Sequence, residues 1–409
     1  MGELIRLSYK KPESRPAEIQ LPASKSISNR LLIMQTLSGG AISISNLSTA
    51  DDTKILQKAL TVESGELNLG LAGTALRFGI AWAAITPGER ILKGEDRLHE
   101  RPVKELVDAL IQLGADIEYL ENEGYAPLKI VGKKINGGML KVDGSRSSQF
   151  LTALMLIAPY CKAPLLFEIE GRQVSLPYIE MTLNLMKQAG AIITQNDHLI
   201  EVSGKYENKE FIVESDWSAA SYFYLWSLAR PDSKLTMNSL QFDSLQGDKI
   251  AADYFSHFGM ISHYANGNMT IAKKLVADIP KEIDFLNCPD LAQTFAVAAV
   301  IAKKPIKLTG LQTLRHKETD RIAALKTELE KCGVKCFAGA DFLELTDFVE
   351  VDEVPVINTY NDHRMAMAFA PLAAVFGELM VENPEVVSKS FPDYWNEVAK
   401  LGIAVSRQN

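Results

Sequence analysis

Five stretches of the chain share one arrangement of apolar and polar positions. They are VDALIQLGADIEYLENEGYAPLKIVG, LNLMKQAGAIITQNDHLIEVSG, DYFSHFGMISHYANGNMTIAK, LKTELEKCGVKCFAGADFLELTD and EVAKLGIAVSRQN. Each begins with apolar residues at helical spacing, stops at a glycine and continues as a short alternating strand. In all but the last, a polar turn and a second strand follow. The stop glycines are Gly114, Gly190, Gly259, Gly333 and Gly402, and they recur every 69–76 residues. A period of that length marks a repeated supersecondary unit. Strands alternating with helices and ending in a hairpin predict βαβαββ units, hence an α/β fold.

A degenerate sixth copy is expected near DDTKILQKALTVESGELNLG. Six units divide into two domains of three. The expected division is residues 1–18 with 216–409 against 19–215, with FIVESDWSAAS (residues 211–221) as a hinge.

The chemistry-rich motifs stand where helices begin. SKSISNR leads into LLIMQTL, LAGTALR into FGIAWAAI, GSRSSQ into FLTALMLIA and VSLPYIE into MTLNLMKQAG. PDLAQ leads into TFAVAAVIA, KETDR into IAALKTELEKCG and NDHR into MAMAFAPLAAVF. Helix starts carry unpaired N–H groups and a partial positive charge, so they suit anions. Lys25, Arg30, Arg77, Arg146, Lys317, Arg321 and Arg364 all fall at such starts, and Arg101 and Lys389 lie in HERPV and SKSFPDYW. If these converge, the pocket suits a substrate carrying several phosphates or carboxylates. Asp290 and Glu318 stand among the cations. A carboxyl in such surroundings is a candidate for proton transfer.

Composition narrows the class. The 409 residues are 47% apolar and 23% charged, with a formal net charge of −8. An acidic balance argues against nucleic-acid binding. The four cysteines, Cys161, Cys288, Cys332 and Cys336, form no dense framework; Cys332 and Cys336 could suggest a metal pair, but no second Cys/His pair stands at zinc-ligand spacing. A reducing compartment and no metal are expected. The opening MGELIRLSYKK lacks the apolar run of a secretory signal. The longest apolar runs fall short of the ~20 residues that cross a bilayer. A cytoplasmic protein is expected, with no membrane partner. No P-loop or nucleophile elbow is present, so phosphate-loop and serine-nucleophile chemistry are not expected.

Nine motifs go further. LPASKSISNR, LAGTALRF, ERPV, SSQFLTAL, VSLPYI, PDLAQTFA, LRHKETDRI, YNDHRMAM and SKSFPDYW occur in this order from Leu21 to Tyr394. In this the chain resembles the 3-phosphoshikimate 1-carboxyvinyltransferase (EPSP synthase) family. The resemblance implies two domains, each a pseudo-threefold arrangement of βαβαββ units, with the active site in the cleft between them. It implies transfer of the enolpyruvyl group of phosphoenolpyruvate to the 5-hydroxyl of shikimate 3-phosphate, releasing phosphate, with no metal or cofactor. It also implies a monomer, and inhibition by glyphosate at the phosphoenolpyruvate site.

Roles follow from the same resemblance. Lys25, Ser26, Arg30, Ser147, Ser148, Gln149, Ser175, Tyr178, Asp290 and Lys317 would line shikimate 3-phosphate. Lys25, Gly73, Arg101, Gln149, Arg321, Arg364 and Lys389 would hold phosphoenolpyruvate. Asp290, Glu318 and Lys25 would handle protons. Two positions depart from the family pattern: Leu71 where Asn often precedes AGTA, and Thr313 where Asn is frequent ahead of KETDR. The sister enolpyruvyl transferase acting on UDP-N-acetylglucosamine is the alternative. It uses a loop cysteine that this chain does not match.

Overall fold

The computed structural model describes residues 3–9, 16–145, 147–230, 234–273 and 278–408. Arg146 lies outside the described residues. The chain divides into two compact units, Met1–Pro22 with Glu214–Asn409, and Ala23–Val213. It passes between them after Pro22 and again after Val213. Of the expected hinge stretch, residues 211 and 212 end the strand Lys209–Ile212, and Trp217 opens the helix Trp217–Ala229.

The repeat is one kind of four-stranded sheet. Gly65–Asn68 runs parallel to Gly88–Lys93. Gly88–Lys93 pairs antiparallel with Leu128–Gly132, which closes a hairpin with Asp116–Tyr119. Helices Gly73–Ile85 and Lys104–Gln112 supply the two crossovers, which gives strand, helix, strand, helix and hairpin. The same order recurs over residues 138–204 and 282–348. Two more four-stranded sheets, both in the unit that holds the chain ends, take one strand from far away. Ala17–Ile19 joins Leu235–Asn238 in parallel. Leu4–Tyr9 lies between Glu378–Glu382 and Ile403–Gln408.

The sixth copy is shorter than expected. It is a two-stranded parallel pair, Ile42–Ser45 with Lys209–Ile212. The GELN segment assigned to it is the first strand of the next sheet. The other five copies close as expected because each helix stop can adopt a left-handed backbone. Gly114, Gly190, Gly259, Gly333 and Gly402 all have φ between +78° and +100°, where a Cβ would be penalised.

Each unit is centred on three apolar helices that pack on one another. In Ala23–Val213 they are Lys25–Leu37, Gly73–Ile85 and Ser148–Ile157. In the other unit they are Trp217–Ala229, Ala292–Ala302 and His363–Phe369. Most of their residues are buried; in Gly73–Ile85, Ser148–Ile157, Trp217–Ala229 and Ala292–Ala302 this follows because a helix apolar nearly all round finds no face for water. Each large aliphatic or aromatic side chain so buried contributes about 1.5–3 kcal/mol. Polar chemistry is thereby pushed to the helix ends, and the first turns carry the motifs. Among the described residues, no helix is long and apolar enough to cross a membrane.

Candidate active site

In Ala23–Val213 the serines of LPASKSISNR divide the work. Ser24 caps the helix, its hydroxyl accepting from the Ile27 N–H. Ser28 is buried and accepts from the Ser48 N–H at 3.0 Å. Lys25 and Ser26 are half-buried. Lys25 Nζ stands 2.9 Å from Asp52 Oδ2. Arg30 is buried, and its nitrogens donate to Thr182 Oγ1 at 2.7 Å, the Ser26 carbonyl at 2.8 Å and the Tyr178 carbonyl at 3.2 Å. Burial lowers Arg30 to about 10, which leaves it charged at neutral pH. It ties Ser26 to Tyr178, two positions far apart in sequence that are both expected to line a ligand.

A second group forms on the helix that starts at Gly73. Arg77 donates to the Gly73 carbonyl at 3.2 Å and to Gln149 Oε1 at 2.9 Å. Gln149 in turn donates to Thr74 Oγ1 at 3.3 Å. The buried Arg101 guanidinium lies against Gly73. Ser147 caps the helix Ser148–Ile157 through the Gln149 N–H. Ser175 precedes the helix Leu176–Gln188 in a left-handed conformation, φ +55°. The structure thus gathers Lys25, Ser26, Arg30 and Tyr178, and separately Gly73, Arg101 and Gln149. The named charges are four cations, Lys25, Arg30, Arg77 and Arg101, against Asp52.

The other unit holds a denser ion cluster. Asp290 sits in the turn before Ala292–Ala302. Its Oδ1 is 3.0 Å from Arg321 Nη1 and 3.4 Å from Lys317 Nζ, and its Oδ2 is 2.9 Å from Arg364 Nη2. Arg321 Nη2 donates to Glu318 Oε2 at 2.9 Å, and Lys389 Nζ stands 3.8 Å from Glu318 Oε1. Asp362 is fully buried and accepts from Arg321 Nε at 2.6 Å and Nη2 at 3.3 Å. It also caps Arg364 through the backbone N–H at 2.9 Å. Arg364 Nη1 donates to Tyr222 Oη at 3.2 Å. The cluster brings together Asp290, Lys317, Glu318, Arg321, Arg364 and Lys389, which are all the sequence-predicted residues of this unit.

Electrostatics fix the charge states. Burial alone would raise the Asp290 carboxyl, but Arg364, Lys317 and Arg321 outweigh it and hold the group well below the usual carboxylate range. Burial would likewise lower Arg321, yet Asp362, Glu318 and Asp290 raise it above the ordinary arginine value. Asp290 is therefore an anion at neutral pH, fixed by three cations.

Sequence reasoning missed Asp52 and Asp362 as members of these clusters. Asp362 stands inside NDHR, directly before His363 and Arg364. An acid preceding a helix reads as a cap, which it is, and its second role depends on Arg321. Asp52 opens DDTK, where acids in a first turn are ordinary. Thr313 Oγ1 is buried with no hydrogen-bond partner among the described residues.

A protein-family model described as EPSP synthase (3-phosphoshikimate 1-carboxyvinyltransferase) matches residues 55–398. A Bacteroides fragilis protein named 3-phosphoshikimate 1-carboxyvinyltransferase is 42% identical over 405 residues, spanning 98% of this chain and 99% of the relative. The chain belongs to the EPSP synthase family. A relative of the same name from Colwellia psychrerythraea is 38% identical over 414 residues, 94% of this chain and 96% of its own. The fold is shared with an EPSP synthase structure from Acinetobacter baumannii, with a TM-score of 0.76 at 18% identity, covering 99% of this chain and 100% of that one. As an EPSP synthase family member the chain has no cysteine suited to acid chemistry among its described residues. Burial pushes the Cys161, Cys332 and Cys336 thiols up to about 12, and Cys288 is buried as well.

Proposed function

We propose that this protein is an enzyme, a 3-phosphoshikimate 1-carboxyvinyltransferase (EC 2.5.1.19). It transfers the enolpyruvyl group of phosphoenolpyruvate to the 5-hydroxyl of shikimate 3-phosphate and releases phosphate. The reaction belongs to the shikimate pathway, which leads to chorismate and the aromatic amino acids. The observation that carries this reading is the cluster of Asp290 and Glu318 held on Arg321, Arg364, Lys317 and Lys389, in a chain of the EPSP synthase family.

The charges suit two dianionic phosphates and one carboxylate. In this reading Lys25, with Ser26, Ser147, Ser148, Gln149, Ser175, Tyr178 and Lys317, receives shikimate 3-phosphate. Arg30 serves the same ligand by fixing Ser26 and Tyr178. Gly73, Arg101, Gln149 and Lys25 receive the phosphate of phosphoenolpyruvate, and Arg321, Arg364 and Lys389 its carboxylate. Placing cations at both anionic ends offsets the repulsion between substrates and orients them for attack.

The chemistry is addition and elimination. Asp290 accepts the proton of the 5-hydroxyl as its oxygen attacks C2, while Glu318 delivers a proton to C3. The resulting tetrahedral intermediate carries the phosphate, which leaves beside Lys25 as C3 returns its proton to Glu318, and the proton held by Asp290 is released to solvent. We read the protein as a cytoplasmic monomer that takes these small molecules as its partners and needs no cofactor, nucleic acid or membrane. A phosphate-release assay tests the function: release with shikimate 3-phosphate and none with UDP-N-acetylglucosamine is expected. The reverse pattern would assign the chain to the sister reaction.

A further inference from the structure

We propose that Asp290 occupies the carboxylate seat of the donor and is displaced when phosphoenolpyruvate binds. The inference rests on the reading that Arg321 and Arg364 receive the donor's carboxylate. In the structure one carboxylate already bridges them, Oδ1 on Arg321 Nη1 at 3.0 Å and Oδ2 on Arg364 Nη2 at 2.9 Å. That is the two-oxygen bridge a substrate carboxylate would form.

The other two nitrogens of Arg321, and Nη1 of Arg364, make further bonds. Arg321 Nε and Nη2 donate to Asp362 and Glu318. Arg364 Nη1 donates to the Tyr222 hydroxyl and lies 3.4 Å from the Asp290 carbonyl. Arg321 Nη1 and Arg364 Nη2 are the nitrogens that Asp290 spans. Charge points the same way. Lys317, Arg321, Arg364 and Lys389 face Asp290, Glu318 and Asp362, and the two guanidiniums that would receive the donor carboxylate both already hold Asp290, so a second carboxylate beside it would have to share their N–H groups. Exchange avoids that crowding. Phosphoenolpyruvate takes the two guanidiniums, and Asp290 keeps only Lys317, at 3.4 Å.

Exchange also times the chemistry. A carboxylate pinned by three cations is a poor proton acceptor. Losing two of them makes Asp290 more basic, and this happens when the donor is seated. The carboxylate that excludes stray anions from the empty site thus becomes the base once the right anion replaces it.

The test is ligand affinity without acceptor. Asp290→Asn keeps the size and removes the competing charge. Calorimetric titration of folded wild type and variant, with phosphoenolpyruvate and with inorganic phosphate, separates the cases. Exchange predicts that phosphoenolpyruvate binds the variant about tenfold more tightly, the worth of one released contact, while phosphate changes far less. Equal tightening of both probes would reveal simple charge repulsion and overturn the inference, as would no tightening of phosphoenolpyruvate. Asp290→Ala, checked by circular dichroism, repeats the measurement if Asn disturbs the fold. Wild-type turnover with shikimate 3-phosphate is assayed separately. Turnover without tightening removes the exchange alone, and absence of turnover removes the functional reading.

Discussion

The Arg101 guanidinium lies so close to the Cα of Gly73 that a methyl on residue 73 would stand 2.2 Å from Nη1. Gly73 begins its helix with no left-handed strain. The glycine is required by the arginine laid across it and not by backbone conformation. The family resemblance sets Gly73 and Arg101 side by side among the residues for phosphoenolpyruvate. In the structure Arg101 stands against Gly73, so a ligand at this end would meet the guanidinium.

Gly73→Ala should therefore act through Arg101. The clashing atoms are the far end of a flexible side chain, so the fold should survive with little change in melting temperature. Relocating a cation that contacts the donor phosphate should raise KM for phosphoenolpyruvate about tenfold, one charge-assisted bond's worth. Glyphosate, a longer anion, should lose more than the substrate does. Steady-state KM and Ki in both proteins check this, and an unchanged KM would remove Arg101 from the donor site.

Lys25→Met should cripple turnover and weaken both substrates. Besides losing its own contacts, the variant leaves Asp52, only 6% exposed, without the ammonium 2.9 Å away. A charge-assisted bond to an anion contributes about 1.5–3 kcal/mol. Steady-state kinetics with each substrate varied in turn should find both KM values raised. Normal kinetics would sink the assignment.

Glu318→Gln and Asp290→Asn should lower kcat by about 10²–10⁴, the usual worth of a general acid or base. Glutamine retains the bond to Arg321 Nη2, so the Glu318 variant should keep its affinity for shikimate 3-phosphate. Single-turnover rates and acceptor titrations separate the two effects. A variant retaining most of its kcat would clear that residue of proton transfer.

Asp362→Ala should be the most destabilising change in the cluster. The carboxylate is fully buried, holds Arg321 by two bonds and caps the helix His363–Phe369. Removing one partner of a buried pair costs about 3–5 kcal/mol, measurable as a lower denaturant midpoint. A midpoint within error of wild type would mean that water or a neighbour replaces the carboxylate.

Asp290 gives a pH prediction of definite sign. Its folded pKa is depressed by Arg364, Lys317 and Arg321 against the effect of burial. Its stabilisation is thus fully present above the unfolded carboxylate value of about 3.9. It is lost only as pH falls below that value, towards the depressed folded one. The stability difference between wild type and Asp290→Asn should stay constant from neutral pH down to about 4 and shrink in stronger acid. Urea midpoints across that range measure it. A difference that shrinks well above pH ~4 would mean that the cations do not hold this carboxylate.

The parts of the fold that could be read from sequence are those a single residue type enforces. A glycine at positive φ after an apolar helix is a chemical requirement, so the repeat stood out. The all-apolar helices were equally plain, and with them the position of the motifs in first turns. Pairing was not legible. Asp290 meets Arg364 across 74 residues and Arg30 meets Thr182 across 152. Either acid or base suits many partners, and only the packed sheets choose among them. The shortened sixth copy was misplaced for a related reason. A β-strand of four residues such as GELN carries no signal of which sheet it joins.

The chain's first strand has a consequence for synthesis. Leu4–Tyr9 is an interior strand, with Glu378–Glu382 on one side and Ile403–Gln408 on the other. Both neighbours are made long after it. Leu4–Tyr9 must therefore wait for Glu378–Glu382 and Ile403–Gln408, while Ala23–Val213 has every one of its own strands before either is made. That inserted unit can fold early, since domains generally fold as units as they emerge. The other unit can close only once Ile403–Gln408 has emerged. A chain that stops before Ile403 would thus lose one partner of Leu4–Tyr9, and would expose that strand as an open edge for another chain to pair with.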